Sequence, residues 1–198
     1  DAYYMKFIVS NLKLILKGKI LNKSQEELET HINLHAEELI KQRDVIIKAL
    51  VAKDFEEAVA SLNSAKFAEE ITKASVLYNE KKNIQIFDTY FDKILYQYLA
   101  GAMKNYADKD AVKIVAMDID FYNILSVIRG KFWGLQEDQI QDLIISTNPP
   151  ARELLGRMMS GATIRDAFNE LSSTKYKNLV PQVENELDAI AEFERAFE

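Results

Sequence analysis

The chain contains no cysteine, which excludes disulfides, thiol catalysis and thiolate metal sites. Proline is almost as scarce, with three residues in 198, at positions 149, 150 and 181. Only six glycines accompany them, so most of the chain lacks strong helix breakers and an all-α architecture is predicted. No apolar run approaches the roughly 18–20 residues that a membrane span requires. A basic surface is lacking too: the formal charge is −6 and the pI about 5.1, which argues against sequence-independent binding of DNA or RNA. The opening residues, Asp1-Ala2-Tyr3-Tyr4, carry no signal-peptide pattern, and a start without Met reads as a processed or shortened chain. An apolar content of 48% is ample for a core, and the composition predicts an intracellular helical protein of one large domain or two modest ones.

What is present is repetition. Asn11-Leu12-Lys13-Leu14-Ile15-Leu16-Lys17-Gly18-Lys19 returns as Asn123-Ile124-Leu125-Ser126-Val127-Ile128-Arg129-Gly130-Lys131, at an offset of 112 (123 − 11). Met5, Val9, Leu12 and Leu16 step at helical spacing, as do Met117, Phe121, Ile124 and Ile128. Each copy predicts a helix that stops at its glycine in the left-handed conformation, with a cation at the negative end of the helix dipole, followed by a turn into a second helix. A second block, Phe55 to Phe67, lines up with Ile164 to Tyr176 at an offset of 109 (164 − 55). A third sets Ile84, Phe87 and Phe91 against Ile190, Phe193 and Phe197 at 106 (190 − 84). Three ordered blocks with spacing that shrinks only at loops predict a tandem duplication of a helical unit of roughly 110 residues. The expected division is 1–101 and 102–198, the second unit lacking its closing helix, as though cut from something longer.

In chain order, residues 2–17 read as the first helix, and Ser24 with Glu27 forms a capping box for the next. A charged and aliphatic stretch follows from Ala36 to Ala52, then a start at Asp54 with Glu57, and helix to about Tyr78. Asn79–Asn83 reads as a linker, and an amphipathic helix from Ile84 is expected to end near Gly101.

No constellation points to catalysis. His31 and His35 have the i, i+4 spacing of a metal pair but no His-Glu-x-x-His pattern and no third ligand, so two surface imidazoles are expected. Asp118 and Asp120 stand two apart on a predicted helix and diverge, which reads as a solvated face. Lys17-Gly18-Lys19 and Arg129-Gly130-Lys131 lie at helix C-termini, where the dipole repels a phosphate, so a cation at the cap is expected. Trp133, the single tryptophan, is predicted to pack the turn, with an interface anchor as the alternative. The acidic end from Glu184 reads as a solvated face that can complement a basic partner. No catalytic, cofactor-binding or metal residue is assigned.

The order of these blocks resembles the C subunit of the archaeal and bacterial A/V-type rotary ATPases, related to the d subunit of the eukaryotic vacuolar proton pump. The resemblance rests on Asn123-Ile124, Ile128-Arg129-Gly130-Lys131 and Gly134-Leu135, with Leu171, Thr174-Lys175-Tyr176 and the acidic-aromatic helix around Phe87-Asp88 and Tyr90-Phe91. It implies an all-α funnel of three related units, about two of them present here. It also implies a non-catalytic, cofactor-free socket that couples the central-stalk subunits to the membrane rotor ring. Such a subunit would be cytoplasmic and peripheral on the membrane within an ATPase or ATP synthase complex that transports protons or sodium. Lys17, Gly18, Lys19, Arg129, Gly130, Lys131, Trp133 and Gly134 are then the structural signature and candidate interface, with Lys19 and Lys131 expected near the ring. The first copy departs from the pattern in having Lys17 for the arginine and no glycine matching Gly134. The competing readings are an α-helical interaction scaffold of another complex, and a helical enzyme using scattered carboxylates such as Glu37, Glu38 and Asp88.

Overall fold

The computed structural model describes residues 2–32, 34, 35, 38, 43–63, 67–104, 108–145 and 149–197. Among them there is no strand, and the fold is all-α. The chain forms two compact units, Asp1–Tyr106 and Ala107–Glu198.

Unit 1 comprises α1 (Ala2–Ile20), α2 (Gln25–Glu29), α3 (Arg43–Val51), α4 (Phe55–Ser61), α5 (Ala68–Lys81) and α6 (Gln85–Met103). Its centre is α1, whose Met5, Ile8, Val9, Leu12, Ile15 and Leu16 are all buried. α6 lies antiparallel on it, held by ion pairs Lys13–Asp92 at 2.6 Å and Lys17–Asp88 at 2.8 Å. Phe87 of α6 meets Phe55 at 5.6 Å and Tyr78 at 5.6 Å between ring centroids, which ties α4 and α5 into the same core. The capping box at Ser24 and Glu27 forms as expected, and Asp54 accepts from the Glu57 amide at 2.9 Å to start α4.

Unit 2 comprises α7 (Lys109–Phe132), α8 (Glu137–Leu143), α9 (Pro149–Ser160), α10 (Ile164–Asn169), short 3-10 turns at Glu170–Ser173 and Lys177–Leu179, and α11 (Glu186–Phe197). Here α7 is the centre. Phe193 of α11 stacks on Phe121 at 5.1 Å and meets Phe168 at 5.6 Å. Asn123 is completely buried and satisfied at both ends of its amide, which accepts from the Ile145 N–H and donates to the Ile145 carbonyl.

Three boundaries differ from the sequence reading. α1 passes through Gly18 to Ile20 and α7 passes through Gly130 to Phe132, so neither glycine ends its helix. α5 continues through Asn79 to Lys81, and the break falls at Lys82, with φ 52. α6 ends at Met103, near Gly101 as expected. Gly18 and Gly130 lie against Leu28 and Ile140, where packing carries each helix past a weak local breaker. Of the stretch from Ala36 to Ala52, residues 36, 37 and 39–42 lie outside the described residues, as do 64–66 in the second repeated block.

Candidate functional site: the paired helical turns

The turn after α1 and the turn after α7 are built from the same bonds. Lys23 donates its amide to the Gly18 carbonyl at 2.9 Å and Asn22 donates to Lys19 at 3.1 Å; Leu135 donates to Gly130 at 2.9 Å and Gly134 to Lys131 at 3.0 Å. This is the Schellman arrangement, in which the residue after the cap turns left-handed and its neighbours satisfy the last carbonyls. The left-handed residues are Asn22, with φ 55, and Gly134, with φ 65, which stand 112 apart (134 − 22). Glycine and asparagine take that conformation most readily, so the first copy has no glycine there and keeps the geometry.

Gly18 and Gly130 are small for a different reason. A Cβ at Gly18 would overlap the Leu28 δ-methyl, and a Cβ at Gly130 would come within 2.7 Å of Ile140 Cγ1. Leu28 on α2 and Ile140 on α8 are both buried, so each glycine is where a second helix crosses its neighbour at close range. The glycine signal was legible, but its cause is contact across the hairpin rather than chain reversal.

The cations beside the glycines serve as internal clamps. Lys19, 9% exposed, donates its ammonium to the Ala52 carbonyl at the end of α3. Lys131 donates to the Met159 carbonyl at 2.8 Å and to the Gly161 carbonyl, at the end of α9. Each lysine thereby caps the negative end of a neighbouring helix. Burial pushes the Lys131 ammonium down, against the pull of Asp166 and Glu137. Lys17 gives both bonds of its pair to Asp88, at 2.8 and 3.0 Å, and Arg129 gives Nε and Nη2 to Glu194 at 3.2 and 2.8 Å. Trp133 closes the turn with its amide on the Arg129 carbonyl at 2.9 Å, and it is half-buried. Its Nε1 is buried without a hydrogen-bond acceptor among the described residues.

The remaining sequence candidates separate. His31 sits in the turn after α2, with Nδ1 2.7 Å from Thr30 Oγ1 and 3.0 Å from the Glu27 carbonyl, so it shares no continuous helix face with His35. No group of three or more His, Cys, Asp or Glu among the described residues converges on a metal position. Asp120 is not on a solvated face. Its carboxylate accepts from the Tyr176 hydroxyl at 2.7 Å and from Lys175 at 3.2 Å, and its side chain is 17% exposed. These partners follow three helices and a 3-10 turn later, beyond what helical periodicity can report. Burial, aided by the bond to Asp120, pushes the Tyr176 phenol up to about 12. This pair borders a cavity of about 510 Å³ walled by Ile124, Pro150, Leu154 and Leu155. Glu194, in the acidic end, is likewise drawn in by Arg129. Of the scattered carboxylates, Asp88 is paired with Lys17 and Glu38 with Arg43, while Glu37 lies outside the described residues.

No helix among the described residues is long and apolar enough to cross a membrane. The chain is 25% identical over 187 residues to the A-type ATP synthase C subunit of Methanosarcina barkeri, covering 92% of this chain and 49% of that protein. It is 30% identical over 142 residues to the protein of the same name from Methanocaldococcus jannaschii, covering 70% and 35%. With the Pyrococcus horikoshii protein of that name the identity is 28% over 141 residues, covering 69% and 37%. The chain thus spans half or less of the length of these curated relatives, and no solved structure matches it. With residues 1–198 matched throughout, the chain belongs to the ATP synthase (C/AC39) subunit family.

Proposed function

We propose that the chain is part of a non-catalytic central-stalk subunit of an A/V-type rotary ATPase, acting as a socket between the rotary stalk and the membrane rotor ring. The observation that carries this reading is the family match over the whole chain, joined by relatives named as the C subunit of A-type ATP synthases. The physical reading agrees. The cations of the signature are engaged in ion pairs and helix caps inside each unit, which suits a rigid body that transmits force through its surfaces. In this reading the subunit is cytoplasmic and peripheral on the membrane, held there by its partners. The candidate interface lies along the exposed sides of the two turns, with Leu21 62% exposed at the position equivalent to Trp133.

The test is co-purification of the full-length subunit with its stalk subunits and with the detergent-solubilised rotor ring. Co-elution with both supports a socket. A folded, helical subunit that binds neither sinks the proposal.

A further inference from the structure

Asp120 lines the cavity of unit 2, one turn before Ile124 on α7. The cavity measures about 510 Å³, within the roughly 300–1,000 Å³ common for small-molecule sites, and Ile124, Ala151, Leu154 and Leu155 give it apolar walls. Both hydrogen bonds to the Asp120 carboxylate fall on Oδ2, from the Tyr176 hydroxyl at 2.7 Å and from Lys175 at 3.2 Å. Oδ1 accepts none among the described residues. Burial and the bond to Asp120 keep the phenol protonated at neutral pH, so it stays a donor.

Unit 1 does without this pair. The positions equivalent to Asp120, Ile124 and Tyr176 are Ile8, Leu12 and Phe67, at the offsets of 112 (120 − 8, 124 − 12) and 109 (176 − 67). They are 0%, 0% and 3% exposed, so unit 1 fills the same positions with apolar core. A carboxylate and a phenol placed there cost desolvation that isoleucine and phenylalanine avoid, so the helical unit does not need them to fold.

The charges around the cavity decide which ligand it suits. A cationic head would lie beside Lys175 and Arg157, and an anionic head beside Asp120. Arg157 is engaged by Glu153 at 3.0 Å and Glu170 at 2.9 Å, and Lys175 by Asp120, so an anion would have to displace a carboxylate to gain either cation. A neutral donor meets neither cost and finds an acceptor at Oδ1. We propose that this cavity binds a neutral amphiphile, with its alkyl or aromatic body against Ile124, Leu154 and Leu155 and its hydroxyl or amide N–H donating to Asp120 Oδ1. The inference concerns unit 2 alone and does not depend on the rotary reading.

The test titrates the intact protein with N-phenylnaphthylamine, a neutral probe whose fluorescence rises when it leaves water for an apolar site. Octanol, octanoate and octylamine then compete with it, sharing one alkyl chain and differing in the charge of the head. Octanol should displace the probe at roughly tenfold lower concentration than either charged analogue. Ala151→Trp, which fills the cavity from a half-buried wall position, should abolish probe binding while the protein stays helical. Asp120→Asn should shift the preference toward octanoate and Lys175→Met toward octylamine, each by roughly tenfold. The Lys175 side chain is 63% exposed, so its variant reports the charge rule independently of how Asp120→Asn folds. A protein that takes up no probe overturns the proposal, as does unchanged probe binding in a folded Ala151→Trp. A charged head that competes as well as octanol overturns it too, and so does a head preference that neither charge variant moves.

Discussion

Arg129 on α7 grips Glu194 on α11 through both Nε and Nη2, and in unit 1 Lys17 grips Asp88 at the equivalent place. The pairs are between a fifth and a third exposed, with side chains at 21% and 34% in unit 2 and at 32% and 25% in unit 1. They are sheltered enough to set register yet too wet to be large sources of stability. A double-mutant cycle over Arg129→Ala and Glu194→Ala should return a coupling of about 1 kcal/mol, weakening in high salt. Arg129→Lys should lose part of it, because an ammonium cannot reproduce the two-point contact. Denaturant titration of these variants beside the parent measures this, and a coupling near zero would mean that apolar packing alone sets the register.

Gly130 and Gly134 stand four positions apart and should resist substitution for different reasons, the first for space and the second for backbone conformation. Gly130→Ala drives a Cβ toward Ile140 Cγ1, one bond from the branched Cβ and so with little freedom, and should cost about 1–3 kcal/mol despite alanine's better helix propensity. Adding Ile140→Ala should make that mutation less harmful than it is alone. Gly134 has open space around its Cβ position but a φ of 65, so Gly134→Asn should be nearly neutral while Gly134→Val costs about 1–2 kcal/mol. Thermal melts of these variants give the comparison.

Lys19 and Lys131 are structural before they are anything else. Lys19→Met should destabilise unit 1 by about 2 kcal/mol through loss of a charged donor to the Ala52 carbonyl. Charge reversal at either position should lower folding stability as well as alter any surface contact, so an interface test there must report melting temperature beside binding. The lowered Lys131 pKa sets a sign. The unfolded chain holds that proton to higher pH than the folded one, so stability rises as pH climbs from the folded value toward the ordinary 10.5. Subtracting the pH profile of Lys131→Met isolates the slope, and a slope of opposite sign would contradict the buried placement.

Tyr176 offers a spectroscopic check on unit 2. Its phenol is pushed up to about 12, first by burial and then by its hydrogen bond to Asp120. The ultraviolet tyrosinate titration of the folded protein should contain a component near 12 that vanishes in Tyr176→Phe. The unfolded phenol ionises near 10, so the folded state holds the proton longer, and this residue's contribution falls as pH rises from about 10 to about 12. If Tyr176→Phe removes a component near 10 instead, the phenol is neither buried nor bonded to Asp120 in solution.

The sequence by itself determined the helical class, the recurrence of the glycine turn and the family. The family follows from the resemblance of the ordered blocks, and the other two from local rules: too few breakers for anything but helices, apolar spacing near 3.6, and capping residues whose partners lie three positions away, as at Ser24 with Glu27. It also marked Gly18 and Gly130 as special, while mistaking the reason. Only the tertiary structure decided that Leu28 and Ile140 press on those glycines, that Asn22 takes the left-handed turn, and that Lys19 and Lys131 point inward. The same holds for Asp120 and Glu194, read as solvated and found paired with Tyr176 and Arg129. The physical reason is range. Helical periodicity reports which face of a helix is apolar, whereas the partner of a polar side chain on a distant segment, as Ala52 is for Lys19 or Glu194 for Arg129, is chosen by how the helices pack.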